Sequence, residues 1–369
     1  MPLEVSFLFG GISTEYDGSI TSLTNVISSY LALSDEKRPF AVKHLYHISR
    51  NDGLVRTIPF CNALTIEKLQ ACLSDTSTLP GHTLLTIFDS IKSRDEYVVN
   101  LLHGQFGEDG GVQTLAALAG LRGTFGDPHV ASLTMNKYAM SSFVSSVLPA
   151  ELVKVPETIL VTPTNVADSI EIAKSLKRSI VVKPNSLGSS LFAKLFHEPA
   201  NSKAEIEALL RTIFAHDKAA LIQEFIPGDE YTCGCIIGSR MITTLPIVKL
   251  EADMQFCGRD QKYSSRIAKK QVISDNSDIF CRLQSLTQKI ASSLDFYNMV
   301  RFDFRVCRES NIWFLECNYI PGLAESSSFE KMLHRHGMTV IDLISRVMAD
   351  SNAYRKPGHY IEYERINGS

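Results

Sequence analysis

The sequence lacks the short motifs by which many nucleotide-binding and metal-binding proteins are identified. It contains no CxxC pair, no GxGxxG run and no GxxxxGK[ST] run. The first absence argues against a cysteine-rich metal or redox centre. The other two exclude the dinucleotide fingerprint and the Walker A phosphate loop. Any chemistry that the chain performs must therefore rest on other patterns.

Excess positive charge and long apolar runs are also absent. The 37 Lys and Arg residues face 40 Asp and Glu residues, for a formal net charge of −3. We therefore expect no nucleic-acid partner and no anionic membrane surface. No apolar stretch reaches the ~18 residues of a membrane span, and no basic region precedes the first apolar run. These features predict neither a signal peptide nor a membrane anchor, and they favour a cytoplasmic protein.

The composition is typical of a globular protein with more than one domain. Apolar residues make up 44% of the 369 residues and charged residues 21%, which excludes collagen and wholly disordered chains. At ~150 residues per domain, the length predicts two or three domains. Several of the eight cysteines lie in apolar runs, so no disulfide framework is expected. Cys233 and Cys235 would share a strand face, but no further metal ligands accompany them.

The first third of the chain predicts an α/β layer. Residues 5–9 form a buried strand that ends at a glycine pair, and a helix with Ser19 or Asp17 as its N-cap follows over residues 20–31. A second buried strand over 97–102 runs into a glycine-rich turn. The helix after this turn carries Val112, Leu115 and Leu118 on its apolar face.

Two further units follow this layer. The Gly-Asp-Pro sequence at 126–128 suggests a boundary before residue 136. Strands over 180–183 and 221–225 then flank a helix near 204–213, and a helix near 340–347 closes the last unit. We expect three domains over residues 1–133, 134–230 and 231–369.

Residues 300–318 carry the most specific local pattern. Strands are predicted over 300–307 and 312–318, joined by the polar loop 308–311. A four-residue loop pairs residue 307 with 312 and residue 305 with 314. The same register puts Asp303 opposite Glu316 and Arg301 opposite Asn318 on one face. The other face is apolar and is predicted to lie in the core: Phe302, Phe304, Val306, Trp313, Leu315 and Cys317.

The polar face of this hairpin has two interpretations. Two carboxylates directly across a ladder repel each other unless a cation lies between them. The oxygens of Asp303, Glu316 and Asn318 form a donor set that suits Mg²⁺. Alternatively, the face is exposed and carries ordinary charges, with Arg301 neutralising one of them.

Single residues elsewhere also have a functional and an ordinary interpretation. Lys183 ends a buried strand before a Gly/Ser loop, where it would meet a phosphate or simply lie exposed in a turn. His103 would act as an acid/base or carboxylate contact, or be satisfied by backbone. Glu15 would bind an ammonium group or favour a helix N-terminus. Lys137 and Lys262 are individually uninformative.

The ordered set of motifs resembles the D-alanine–D-alanine ligase family of ATP-grasp enzymes over nearly the whole chain. The segments that carry the resemblance are Leu8-Phe9-Gly10-Gly11 with Ser13-Thr14-Glu15, Leu102-His103-Gly104 with Gly107-Glu108-Asp109-Gly110, Met135-Asn136-Lys137, Val182-Lys183-Pro184 with Gly188-Ser189-Ser190, Glu224-Phe225-Ile226-Pro227-Gly228 with Glu230, Lys262-Tyr263, Arg301-Phe302-Asp303, and Glu316-Cys317-Asn318 with Pro321-Gly322.

The resemblance implies an α/β protein with α+β character in its ATP-binding part, built as a three-domain ATP-grasp fold with an N-terminal parallel-sheet domain. It also implies a two-step reaction. ATP phosphorylates the carboxylate of one amino acid, and the amine of a second attacks the acyl phosphate to form an amide. ATP would be a co-substrate, Mg²⁺ the metal, with Mn²⁺ as an alternative, and the assembly a homodimer.

The resemblance also assigns roles to individual residues. On the nucleotide side, it implies that Lys137 and Lys183 contact the phosphates and that Ser190 and Lys262 also contact ATP. Gln223, Phe225 and Ile226 would form the adenine hinge, and Glu230 would contact the ribose. Asp303, Glu316 and Asn318 would form the metal site. On the substrate side, it implies that Glu15 takes the ammonium group of the first amino acid and that His103 lies near the carboxylate of this amino acid. Arg301 and the Gly322 amide would stabilise the oxyanion, and Ser327 would hold the carboxylate of the second amino acid. Lys262 would reach the γ-phosphate or the second carboxylate from a lid, and Tyr263 would close over Glu15 and Ser189.

The sequence departs from the family pattern mainly around the substrates. Residues 16–20 differ from the usual sequence after Glu15, and Leu187 and Asn136 replace acidic residues that are usual there. Residues 324–328 replace a threonine/serine-rich segment. Three functions follow: D-alanine–D-alanine ligase, a related ligase of a secondary-metabolite pathway with other substrates, or a nucleotide-binding regulator without turnover. Retention of Lys262 and Tyr263 favours an amine acceptor.

Overall fold

The structure is a computed structural model that describes residues 3–61, 63–74, 76, 78–175, 178–252, 268–273, 277–325 and 327–353. Three β-sheets with flanking helices make up these residues. Among them, no helix is both long enough and apolar enough to cross a membrane.

The first sheet is mainly parallel, with strand order β4-β3-β2-β1-β5-β6. Its strands are β1 (Glu4–Gly10), β2 (Ala41–Ile48), β3 (Val55–Pro59), β4 (Gly81–His82), β5 (Tyr97–Asn100) and β6 (Arg122–Gly123). The helices of this region are α1 (Tyr16–Leu31), α2 (Ile66–Ser74), α3 (Leu84–Arg94) and α4 (Gly111–Ala119). β1 pairs in parallel with β2 and β5, and β5 pairs in parallel with β6, whereas β3 pairs antiparallel with β2 and β4. This confirms the predicted α/β layer and adds an antiparallel edge.

The start of α1 differs from the sequence prediction. Ser19 and Asp17 lie inside the helix, and Glu15 is its N-cap residue. The Ser19 hydroxyl instead accepts a hydrogen bond from the Gly10 amide at 2.8 Å. Gly10 has φ +89°, and a Cβ there would lie 2.4 Å from the Ile48 carbonyl oxygen. Glycine is therefore required where β1 turns towards the helix.

The apolar face of α4 is narrower than predicted. Val112 is buried, but Leu118 is 81% exposed. Residues spaced by three drift around a helix of 3.6 residues per turn, so the third member of such a series leaves the buried stripe. The spacing put Leu118 on the apolar face, but Leu118 lies outside the buried stripe.

The core on one face of the first sheet also contains residues from the end of the chain. Val5, Phe7 and Phe9 of β1 lie in one buried cluster with Leu343 and Ile344. Leu8 points to the opposite face, where α3 and α4 cover it. Because both faces of the sheet are buried, β1 is apolar throughout rather than alternating.

The second sheet is antiparallel, with order β7-β10-β8-β9. Its strands are β7 (Thr158–Val161), β8 (Ile180–Pro184), β9 (Lys194–Phe196) and β10 (Ala220–Glu224), and its helices are α7 (Val166–Ser175) and α8 (Lys203–Phe214). Ile180, Val182 and Ile222 pack against these two helices. The alternate residues Val181, Lys183 and Gln223 face a cleft.

The third sheet is antiparallel, with order β14-β13-β11-β15-β16, and β12 pairs with β11. Its strands are β11 (Asp229–Ile237), β12 (Ile242–Thr244), β13 (Ile247–Ala252), β14 (Ala268–Ile273), β15 (Asn298–Val306) and β16 (Ile312–Asn318). The remaining helices are α5 (Pro128–Met135), α6 (Lys137–Val147), α9 (Asp278–Ser292), α10 (Ser328–Arg335) and α11 (Val340–Ala353). Residues from α5, α6 and α9 cover one face of this sheet, where Cys233 and Cys235 are buried.

The β15–β16 hairpin confirms the predicted pairs at one end and corrects those at the other. Asp303 pairs with Glu316 and Arg301 with Asn318, as predicted, but Val306 pairs with Ile312 and Arg305 with Trp313. The loop therefore has one residue more than expected, and a bulge after Asp303 compensates for it. The bulge moves Ile312 and Phe314 into the core, so the prediction of Trp313 and Leu315 as core residues was wrong.

Candidate functional site

A cleft separates the open face of the second sheet from the polar face of the β15–β16 hairpin. Most of the residues predicted to bind nucleotide or metal line it: Lys137, Lys183, Ser190, Gln223, Phe225, Ile226, Glu230, Asp303 and Glu316. The structure thus brings together side chains from α6, two sheets and the loop after β8.

The predicted metal ligands lie beside a half-buried arginine. Asp303 Oδ2 accepts a hydrogen bond from Arg301 Nη2 at 2.9 Å and lies 3.4 Å from Asn318 Nδ2. Burial works against the charged form of Arg301, but Asp303 and Glu316 outweigh it and raise the pKa of the guanidinium. The two carboxylates and the amide oxygen of Asn318 are hard oxygen donors, so this set fits Mg²⁺.

Lys137 links this carboxylate pair to the loop that follows β8. Asn136 caps α6 by accepting from the Ala139 amide at 2.9 Å, and this positions Lys137 as the first helical residue. Lys137 Nζ donates to the Leu187 carbonyl at 2.6 Å and lies 3.8 Å from Glu316 Oε2. The Lys137 ammonium group therefore lies between the loop and the candidate metal site.

The loop after β8 has an unusual backbone. Ser189, Ser190 and Phe192 have φ of 55°, 53° and 56°, a region that non-glycine residues rarely adopt. The Phe192 ring stacks on His216 with centroids 5.1 Å apart. Strained backbone of this kind concentrates at ligand sites, where the surroundings hold it in place.

Glu15, which precedes the first residue of α1, is the residue that the resemblance assigns to the first ammonium group. Its Oε2 accepts a hydrogen bond from Ser189 Oγ at 2.7 Å, so the start of α1 contacts the loop after β8. A Cβ built on Gly188 would lie 2.1 Å from Glu15 Oε1. Only glycine allows this approach.

Gly188→Ala should therefore disturb Glu15 specifically. The methyl group displaces the end of a flexible side chain, so the fold should survive while the Glu15–Ser189 bond is lost. We expect kcat/KM for the first amino acid to fall about 10- to 100-fold, measured by phosphate release. Gly18→Ala is the control, since its Cβ would meet the His103 ring at an ordinary 3.7 Å. Equal activity of both variants would contradict the contact.

His103 lies in a buried chain of polar groups. Its Nε2 is 3.1 Å from Ser22 Oγ, and the same hydroxyl accepts from the Leu323 amide at 3.2 Å. On the other side, His103 Nδ1 lies 3.9 Å from Glu108 Oε2, which accepts from the Gly104 amide at 2.7 Å. These hydrogen-bonded polar groups connect the first helix to the segment around Gly322.

Burial is the largest cause of the pKa shifts of His103 and Glu108. It lowers the pKa of His103, with Glu15 opposing the change and Arg301 adding to it. Burial, with the nearby Glu15 carboxylate as the next cause, raises the pKa of Glu108 to about 8. Near neutral pH, the pair is therefore favoured in its uncharged form.

The raised pKa of Glu108 makes stability depend on pH. A carboxyl whose folded-state pKa exceeds its ordinary value stabilises the fold fully below about pH 4.5 and loses this contribution up to about pH 8. We expect the melting temperature of the wild type relative to Glu108→Gln to fall by about 2 °C per pH unit in that window. His103 is present in both proteins, so its opposite contribution largely cancels. A constant difference from pH 5 to pH 8 would contradict the assignment.

Gly322 and Ser327 lie close to this chain. A Cβ on Gly322 would be 3.8 Å from His103 Nε2. The Ser327 hydroxyl donates to the Gly322 carbonyl at 2.9 Å and accepts from the Glu330 amide at 3.2 Å, capping α10. Its predicted role with the second carboxylate stays a prediction. Lys262 and Tyr263 lie outside the described residues, so their predicted roles also stay predictions.

Sequence reasoning missed three residues of the site: Ser22, Glu108 and Arg305. Arg305 lies in the cleft wall at the alternate position after Asp303, so the period-2 pattern of β15 could have indicated it. Ser22 contacts His103 across 81 positions, which no local pattern reveals, whereas Glu108 contacts Gly104 and His103 within the same glycine-rich turn.

Comparisons with known proteins identify relatives of this chain. The family model described as D-ala D-ala ligase C-terminus matches residues 153–349. D-alanine–D-alanine ligase A of Bacillus cereus is 28% identical over 261 residues, which are 70% of this chain and 82% of that protein. The corresponding ligase of Borrelia turicatae is 24% identical over 99% of each chain.

Solved structures show the same fold. The VanG D-Ala:D-Ser ligase of Enterococcus faecalis has a TM-score of 0.76 at 21% identity, covering 95% of this chain and 100% of that one. The D-alanine–D-alanine ligase of Coxiella burnetii has a TM-score of 0.73 at 20% identity, with 95% and 94% coverage. The predicted ATP-grasp fold is thus confirmed. Because the matched family model spans more than half of its residues, the chain belongs to the D-alanine–D-alanine ligase family, whose members are ATP-dependent ligases that form a peptide bond.

Proposed function

We propose that the protein joins two molecules of D-alanine at the expense of ATP. The γ-phosphoryl group of ATP passes to the carboxylate of the first amino acid, giving an acyl phosphate and ADP. The amine of the second attacks the acyl carbon, and inorganic phosphate leaves as the amide forms. The observation that carries this proposal is one cleft lined by Lys137 and Lys183 together with the Asp303–Glu316 pair, with Glu15 hydrogen-bonded to the loop after β8.

The nucleotide would occupy the cleft between the second and third sheets. Lys137 and Lys183 would contact its phosphates together with Ser190. The base would lie against Gln223, Phe225 and Ile226, and Glu230 would accept from the ribose hydroxyls. The left-handed loop residues and the capped start of α6 support this assignment.

Asp303, Glu316 and Asn318 would hold Mg²⁺. When bound, the metal supplies positive charge that offsets the phosphate oxygens. The carboxylates lie directly across the β15–β16 ladder, and Lys137 adds a further positive charge beside Glu316.

The first amino acid would lie between the first sheet and the loop after β8. Glu15 would take its ammonium group, with Ser189 and Tyr263 beside it, and His103 would lie near its carboxylate. Arg301 and the Gly322 amide would stabilise the oxyanion when the second amine attacks, as preorganised donors do in acyl transfer. Lys262 would reach the γ-phosphate or the second carboxylate, and Ser327 would hold the second carboxylate.

The decisive experiment measures phosphate release with Mg·ATP across matched D- and L-amino acids, alone and in pairs. We expect turnover with D-alanine alone and formation of the dipeptide, confirmed by mass spectrometry. D-serine and D-lactate as second substrates test the altered segment 324–328 and the preference for an amine. No turnover with D-alanine would overturn this substrate assignment, whereas turnover with another pair would retain the ligase chemistry.

We further propose that the three sheets belong to domains over residues 1–133, 134–230 and 231–369. We also propose that the protein forms a homodimer in the cytoplasm, where its substrate ATP is made available. Size-exclusion chromatography with light scattering tests the oligomeric state, and a monomer at micromolar concentration would contradict it.

A further inference from the structure

A second arginine lies in the wall of the nucleotide cleft. Arg305 is on β15, two residues after Asp303, and is only 6% exposed. It lines the cleft together with Glu230 and Ile226. A fully charged group in so buried a place requires compensating partners, because desolvation of an arginine is costly.

Three contacts of Arg305 are with residues 225–230, which run from the end of β10 into β11. Its Nη2 donates to Glu230 Oε2 at 2.8 Å, and its Nη1 donates to the Ile226 carbonyl at 3.1 Å. The guanidinium carbon lies 5.1 Å from the centroid of the Phe225 ring. One planar group thus connects three residues that the proposed function assigns to the base and the ribose.

The geometry of arginine suits this arrangement. A guanidinium carries five donors in a rigid plane, so it bridges a carboxylate and a carbonyl at the same time. An ammonium group is a point charge and does not hold both acceptors in a fixed relation. The Glu230 carboxylate uses one oxygen for Arg305 and has a second oxygen with which to accept from hydroxyl groups.

We propose that Arg305 is a positioning residue that fixes the Glu230 carboxylate for the ribose hydroxyls of the nucleotide. This inference rests on the proposed function in one respect, that the cleft binds ATP. By tying Glu230 to the Ile226 carbonyl, Arg305 sets the distance between the ribose contact and the base contact. The protein therefore discriminates against nucleotides that lack a ribose hydroxyl, and this discrimination requires Arg305.

The test measures equilibrium binding of Mg·ATP, Mg·2′-deoxy-ATP and Mg·3′-deoxy-ATP by calorimetry, so it does not depend on ligase turnover. In the wild type, loss of the recognised hydroxyl should weaken binding about 10-fold or more, as for a hydrogen bond to a charged group. In Arg305→Met, ATP should bind about 10-fold more weakly, and ATP and its deoxy analogue should bind within about 3-fold of each other. Arg305→Lys should retain the positive charge but lose most of the preference for ATP over its deoxy analogue.

Lys249→Met provides the matched control. Lys249 of β13 pairs with Asp229, the neighbour of Glu230 on β11, at 2.7 Å, so this variant removes a nearby cation that does not line the cleft. Lys249→Met should keep the wild-type preference for ATP over its deoxy analogues. Thermal melts report whether Arg305→Met folds, and Glu230→Gln provides a second route, since it should lose the same preference.

The outcomes separate the two proposals. If the wild type binds ATP and deoxy-ATP equally, or if Arg305→Met weakens both to the same extent, the role of Arg305 in ribose recognition is overturned. If the wild type binds ATP with ribose discrimination but releases no phosphate with any amino acid, the ligase substrates are wrong and the role of Arg305 stands. Failure to bind ATP at all overturns both.

Discussion

Glu316→Ala should reduce Mg·ATP turnover about 10³-fold or more while the protein remains folded. Glu316 pairs with Asp303 across β15 and β16, and its carboxylate lies 3.8 Å from Lys137 Nζ. Alanine removes one of the three proposed oxygen ligands and leaves the lysine without this acceptor. Steady-state phosphate release measures the effect, and calorimetric titration with Mg²⁺ in the presence of ATP should show weaker metal binding.

The control for this variant lies in the loop of the same hairpin. Glu309 is exposed there, so Glu309→Ala removes the same charge from the same supersecondary unit without reaching the cleft. It should retain wild-type turnover. Near-normal activity of Glu316→Ala, with an unchanged affinity for Mg²⁺, would overturn the metal assignment.

Arg301→Met should reduce dipeptide formation about 10³-fold, because it removes the donor that we propose for the developing oxyanion. Arg301 is charged throughout the assay range, since Asp303 and Glu316 outweigh burial and raise its pKa. Formation of the acyl phosphate should be affected less than its capture by the amine. Trapping with hydroxylamine should therefore give a higher ratio of hydroxamate to dipeptide than in the wild type.

Two further variants define the cause of this loss. Arg308→Met removes an exposed arginine from the hairpin loop and should leave dipeptide formation unchanged. Arg301→Lys keeps the charge but not the planar pair of donors, so it should restore only a small part of the activity. An unchanged ratio of hydroxamate to dipeptide in Arg301→Met would contradict a role at the second step.

The hairpin shows how far sequence reasoning reaches. Alternation correctly paired Asp303 with Glu316, but the loop is one residue longer than expected. The pairs at 301 and 303 agree with the prediction because the bulge after Asp303 restores the register. A β-bulge leaves no compositional signal in its strand, so Phe314 could not be distinguished from Trp313 as the core residue.

The lysines of the cleft illustrate a different limit. Lys137 and Lys183 were each ambiguous in sequence, because most single lysines are solvated. Their meaning came from the order of motifs along the chain, and the structure brings both into one cleft wall. The contacts of Ser22 with His103 and of Arg305 with Glu230 join residues 81 and 75 positions apart. Such pairs depend on tertiary structure, which local patterns do not encode.

The apolar cluster shared by the first strand and the last helix has a consequence for synthesis of the chain. At about 5–20 residues per second, roughly 10 to 50 s separate the emergence of β5 from that of Leu343 and Ile344. During this interval, the face of β1 that carries Val5, Phe7 and Phe9 lacks part of its cover. The nascent N-terminal sheet should therefore be the segment most dependent on chaperones, and it completes its core only when almost the whole chain has been made.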